Sequence, residues 1–91
     1  MDIVKLDEAK KQIKKLPLYI KIKLLEWAKS VERDGIREVR KMKGFHDEPL
    51  KGNRVGQRSI RLSKAYRAIY REENNGTINL IIVEEVNKHE Y

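Results

Sequence analysis

The 91-residue sequence contains no cysteine, so neither a disulfide framework nor a thiolate metal site can hold it together. That suits a reducing compartment. It has only two prolines, and no repeat, linker or low-complexity segment. With 40% apolar and 38% charged residues it reads as one globular domain over residues 1–91, with room for a single modest core. No apolar run approaches the ~20 residues of a membrane span, and the N-terminus lacks the apolar block of a signal peptide. A soluble cytoplasmic protein with no membrane partner is the expectation. HExxH, paired Asp/Glu metal signatures, a Walker loop and GxGxxG are all missing, so metal, nucleoside-triphosphate and dinucleotide chemistries have no support. No cofactor and no metal are expected.

Cations are abundant, and their distribution is uneven. The net charge is +7, from 21 basic and 14 acidic residues. Residues 1–35 carry nine cations and six acids, residues 36–73 carry eleven and five, and residues 74–91 carry one and three. Within "PLKGNRVGQRSIRLSKAYRAIYR" (49–71) stand Lys51, Arg54, Arg58, Arg61, Lys64, Arg67 and Arg71, with no acid among them. So much like charge on two short strands is either screened by solvent or meant for a polyanion, and its concentration in mid-chain matches a nucleic-acid footprint.

Periodicity supplies the architecture. "IVKL" (Ile3–Leu6) is short and β-prone, and Asp7 follows as a helix N-cap. Ala9, Ile13 and Leu16 recur at helical spacing, with acids first and lysines last, as the helix dipole favours. Pro17 ends that helix and suits the first turn of the next. Ile20, Leu24, Trp27, Ala28 and Val31 then form one apolar stripe from Leu18 to about Arg33, stopped at Asp34-Gly35. Two helices with so short a break predict an antiparallel hairpin packed by the Trp27 stripe. "IREVRKM" can add a helical turn, and "KGFHDEPLKGNRVG" reads as a loop. Strand character follows in "RSIRL", "YRAIYR" and "TINLIIVEEV", with a tight connection at "SK" and an Asn-Gly turn at 75–76. "LIIV" (Leu80–Val83) does not alternate, which predicts a central strand covered on both faces. The expected fold is α+β: a short N-terminal strand, a two-helix hairpin, then a three-strand antiparallel meander with the helices on one face.

Chemistry has few carriers. Of the two histidines, His89 follows the last strand beside the cation-rich sheet, whereas His46 lies in a loop and is read as non-catalytic. RNA cleavage by internal attack needs a base for the ribose 2′-hydroxyl proton, cations for the phosphate charge and an acid for the departing 5′-oxygen. Arginines can provide the positive field without a metal. Arg58 and Arg61, three residues apart, must point to opposite strand faces and cannot do the same job.

"DEPLKGNRVGQRSIRLSKAYRAIYR" (47–71), with a last strand ending in "HEY", resembles the RelE/ParE superfamily of bacterial toxin–antitoxin toxins, most of all its RelE, YoeB and HigB ribonuclease branches. The resemblance covers about half the chain; the first half agrees in pattern alone. It implies a RelE-like fold and an endoribonuclease, an mRNA interferase that cuts messenger RNA in the ribosomal decoding site and so stops translation. By position, Glu48 matches the general base, Arg67 the arginine that stabilises the transition state, His89 the general acid and Tyr91 the tyrosine that orients or stacks substrate. Lys51 matches a phosphate contact, and Arg54, Arg58, Arg61 and Lys64 join it as expected RNA or phosphate contacts. YoeB-like chains end in adjacent His-Tyr, whereas here Glu90 intervenes and along a strand would turn Tyr91 to the side of His89. Either Glu48 or His89 can be the base, since a strand-end histidine serves in either role according to its pKa. The implied partners are a cognate antitoxin, ribosomal RNA and messenger RNA, with DNA reached only through the antitoxin. Two other readings stand beside this one: a ParE-like inhibitor of DNA gyrase on the same fold, and a non-enzymatic RNA- or DNA-binding module.

Overall fold

In a computed structural model, residues 1–88 are described; His89, Glu90 and Tyr91, and with them the roles expected of His89 and Tyr91, lie outside the described residues. Strand β1 (Asp2–Lys5) leads through a single 3-10 turn (Asp7–Ala9) into α1 (Lys10–Lys14). Two more helices follow, α2 (Leu18–Asp34) and α3 (Ile36–Val39). Four strands complete the chain: β2 (Glu48–Pro49), β3 (Gln57–Arg61), β4 (Tyr66–Asn74) and β5 (Asn79–Lys88).

The α+β class is as the sequence predicts, and β3–β4–β5 form the expected antiparallel meander. The sheet is wider than that meander. Its order is β1-β5-β4-β3-β2, with β1 parallel to β5 and the two-residue β2 antiparallel to β3. β5 is therefore interior, and Ile81, Ile82 and Val83 are all buried, which accounts for the unbroken apolar run.

α2 is the packing helix. Ile20, Leu24, Trp27, Ala28 and Val31 are buried against Ile60, Ala68, Tyr70, Ile81, Val83 and Val86 of the sheet. Trp27 and Tyr70 meet with ring centroids 5.3 Å apart, tilted by 49°, an arrangement favourable for aromatic pairs. The first arm of the hairpin is shorter than its periodicity suggests. Asp7 makes no side-chain cap bond, and only Lys10–Lys14 are α-helical. Four lysines among residues 10–15 repel one another, and that short segment buries too little apolar surface to offset the cost of nucleating a helix.

Side chains close the edges that β1 and β5 would otherwise expose. The Val4 N–H donates to Glu32 Oε2 at 3.0 Å, and the Val86 N–H, beyond the end of β1, donates to Gln12 Oε1 at 2.7 Å. Asp2 Oδ2 accepts the Ile36 N–H at 2.7 Å, tying the first strand to α3 just after Gly35, whose φ of 88° makes the corner. Among the described residues no helix is long and apolar enough to cross a membrane.

Candidate nucleic-acid interface

The helices cover one face of the sheet and leave the other open. Residues paired across antiparallel strands share a face, so the register assigns each side chain. Tyr70 and Ala68 face the helices, and so do their partners Arg58 and Ile60. The open face carries Gln57, Ser59 and Arg61 of β3, and Arg67, Ile69 and Arg71 of β4. Glu48 of β2 joins it through its pairing with Ser59, and Asn87 of β5 through its pairing with Arg67. Of the expected site residues, the structure thus brings Glu48, Arg61 and Arg67 together on one surface. Asn87, two residues before His89, shares a row with Arg61 and Arg67.

Lys64 is exposed in the β3–β4 connection, beside Arg61 and Arg67. There Ser63 Oγ accepts the N–H groups of Ala65 and Tyr66 at 3.1 and 3.2 Å, which fixes the tight turn. Lys51 is exposed near the other end of β3, where the Leu50 N–H donates to the Gln57 carbonyl. Arg54 is engaged: its guanidinium pairs with Glu85 and donates to Gln57 Oε1 at 2.8 Å.

Arg58 departs from the expectation of an RNA contact. It points to the helix side, where its Nε donates to Asp47 Oδ1 at 2.6 Å. The Asp47 carboxylate is 1% exposed and also accepts the Tyr70 hydroxyl proton. That hydroxyl in turn accepts from Arg40 Nε at 3.3 Å, and Arg40 is paired with Glu72. Sequence reasoning passed over Asp47 because "FHDEP" has the composition of a solvated loop. The available signal is an aromatic residue two positions earlier: Phe45 is buried and draws the loop inward, with Lys23 Nζ 5.0 Å from its ring centroid.

The network holds the segment that presents Glu48. His46 turns through a left-handed φ of 48°, Asp47 is anchored inward, and Glu48, 54% exposed at its side chain, is left on the open face. His46 Nε2 lies 3.8 Å from Glu48 Oε2. Burial, and then donation to Asp47, push the Tyr70 hydroxyl well above the usual tyrosine value. Burial works against the Arg58 guanidinium, yet its bond to Asp47 leaves its pKa raised on balance.

A pH-dependent prediction follows from Tyr70. Its folded-state pKa is raised, so the stabilisation it brings is complete below the unfolded value of ~10 and is lost as pH climbs beyond it. Tyr70→Phe removes one buried hydrogen-bond donor and should cost about 1–3 kcal/mol at pH 7. The gap between the two proteins should narrow above about pH 10, as urea unfolding at pH 7, 9 and 10.5 would show.

No family model matches the chain, and no curated protein matches it. Solved structures do. The chain is similar to the toxin–antitoxin complex RelBE2 of Mycobacterium tuberculosis, at 24% identity and a TM-score of 0.68, covering 96% of both chains. It is similar to a YoeB/ParE toxin from Agrobacterium tumefaciens, at 18% identity and a TM-score of 0.71, covering 98% of both. It is similar to the YoeB–YefM complex of Staphylococcus aureus, at 22% identity and a TM-score of 0.70, covering 99% of this chain and 97% of that one. Superposing on these structures along almost its whole length, the chain has the RelE/YoeB-like fold.

Proposed function

We propose that this protein is the toxin of a type II toxin–antitoxin pair, a ribosome-dependent endoribonuclease that cuts messenger RNA in the cytoplasm and so inhibits translation. The observation that carries this reading is the register that sets Glu48, Arg61 and Arg67 on one uncovered sheet face. In the reaction, Glu48 takes the proton of a ribose 2′-hydroxyl, and the freed oxygen attacks the adjacent phosphorus. The bond to the 5′-oxygen breaks as His89 returns a proton to it, leaving a 2′,3′-cyclic phosphate and a 5′-hydroxyl. Arg67 stabilises the charge that builds on the phosphate, and Tyr91 orients or stacks the substrate. Arg61, Lys64 and Lys51 supply phosphate contacts, and a broad basic surface suits docking on ribosomal RNA. The arginines meet the need for positive charge, so no metal is assigned a role.

Similar structures are of toxins solved with antitoxins, RelB and YefM by their names, which supports a cognate antitoxin here, with promoter DNA reached only through it. The chain's own surface agrees. Leu18, Tyr19, Ile22 and Leu25 are exposed on the first half of α2, where residues 18–25 hold Lys21 and Lys23 and no acid. An acidic amphipathic segment of the antitoxin fits such a stripe.

The test is 5′-end mapping of a defined message on programmed bacterial ribosomes. Expected are cuts that require the ribosome, carry 5′-hydroxyl ends, gain nothing from added transition metals and fade steeply as salt rises. An intact message at concentrations that arrest growth would overturn the nuclease and favour gyrase inhibition.

A further inference from the structure

Among the described residues, two acids of β5 interrupt the open face beside Arg54 and Arg71. Along β5, Ile69 pairs with Glu85 and Tyr70 with Val83, so Glu84 is an extra residue at a β-bulge. In a regular strand two consecutive glutamates would point to opposite faces, and the bulge turns both to the same one. Their contacts show it. Glu84 Oε1 lies 3.4 Å from Arg71 Nη1, and its Oε2 accepts from Gln57 Nε2 at 3.1 Å. Glu85 pairs with Arg54 and accepts from Asn87 Nδ2 at 2.6 Å.

Arg71 is surrounded further. Glu8 accepts two bonds from its guanidinium, at 3.1 and 3.0 Å, and Glu73 a third at 3.2 Å. Ile69 and Ile82 are only 8% and 6% exposed although they face away from the helices. On the open face, Arg54 and Arg71 are therefore held by carboxylates brought in from elsewhere in the sequence. A phosphate arriving there would have to displace those carboxylates and would meet their negative charge.

We propose that Glu84 and Glu85 form a phosphate-excluding wall across the open face, confining RNA to the end carried by Arg61, Lys64 and Arg67. This deepens the nuclease reading and rests on it. The wall sets where the strand lies, so that one phosphate meets Arg67 and its neighbours cannot slide towards Arg71. Glu84 and Glu85 are on this account positioning residues, touching the arginines rather than the reacting atoms.

The experiment is the salt dependence of binding to a short single-stranded RNA oligonucleotide. It compares the wild-type chain, Glu84→Gln/Glu85→Gln, and a charge-matched control, Glu26→Gln/Glu38→Gln, whose changes lie on the helices. Releasing Arg54 to a phosphate should steepen the log–log salt slope by about 0.7, the value for one contact on a single strand, while Glu8 and Glu73 still hold Arg71. The control, with the same change in net charge, should keep the wild-type slope. Should the double variant fail to melt cooperatively, Glu85→Gln alone should still steepen the slope by about 0.7. Equal slopes in all three proteins, an equal change in variant and control, or no measurable binding by any of them would overturn the wall. Message cleavage on ribosomes, scored in parallel, separates the two readings. Cleavage with unchanged slopes removes the wall alone, and a steepened slope without cleavage removes the nuclease alone.

Discussion

Replacing Arg67 with alanine is expected to lower the rate of message cleavage on the ribosome by about 10²–10³-fold, the usual cost of removing one group aimed at developing negative charge. Arg67 lies on the open face between Arg61 and Asn87, outside the packed core. Thermal stability should therefore change little, within about 0.5–1 kcal/mol. His89→Ala should cost about 10²–10⁴-fold through loss of proton transfer to the departing oxygen. The two variants should differ in how pH acts. Arg67→Ala should keep the shape of the wild-type pH–rate profile at a lower level, because a guanidinium does not titrate in the working range. His89→Ala should lose the limb set by the histidine. Single-turnover cleavage between pH 5.5 and 9 measures both. Wild-type rates in either variant would remove that residue from the mechanism, and unchanged rates in both would move the chemistry to other groups of the open face.

Asp47→Ala is expected to be the most destabilising change on the helix side of the sheet, by about 3 kcal/mol, near the lower end for breaking a buried pair. Its carboxylate is almost wholly buried and satisfies two donors, the Arg58 guanidinium and the Tyr70 hydroxyl. Without it the Tyr70 hydroxyl loses its acceptor in the core, and Arg58 keeps a charge with little solvent, its side chain being 28% exposed. For a domain of this size such a loss is a large part of a total near 5–15 kcal/mol. The variant Asp47→Ala/Arg58→Met should recover part of the loss, because removing both charges costs less than stranding one. Equilibrium urea unfolding of the two single variants and the double variant gives the coupling energy. A coupling near zero would mean that the pair holds nothing in place. Because Glu48 is the next residue, cleavage should fall in Asp47→Ala beyond what the unfolded fraction explains.

The sequence made the local features legible. The Trp27 stripe, the Asn-Gly turn and the apolar run of Leu80–Val83 depend on spacing within one element; the structure has the first two, and of the run it buries Ile81, Ile82 and Val83 and leaves Leu80 half-buried. The opposed faces of Arg58 and Arg61 likewise follow from strand period alone. What could not be read is what depends on distant partners. β1 lies parallel to β5 because Asp2–Lys5 pair with residues 79–82, and no local window contains both. Residues 49–71 hold seven cations and no acid, yet Asp47, Glu8, Glu84 and Glu85 reach three of those cations in space. The basic character of the surface is therefore narrower than the basic character of the segment. α1 shows the opposite case, in which a plausible helical period is outweighed by lysine repulsion over five residues.

The parallel pairing of β1 with β5 has a consequence in time. A chain leaving the ribosome makes Asp2–Lys5 well before their partners Asn79–Ile82. Strand β5 is thus missing while the helices, β3 and β4 emerge, and β1 has nothing to dock on until β5 has cleared the exit tunnel. Pairings so distant in sequence are slow to form even in a finished chain. The open face, built on β4 and β5, can exist only once both strands have left the exit tunnel.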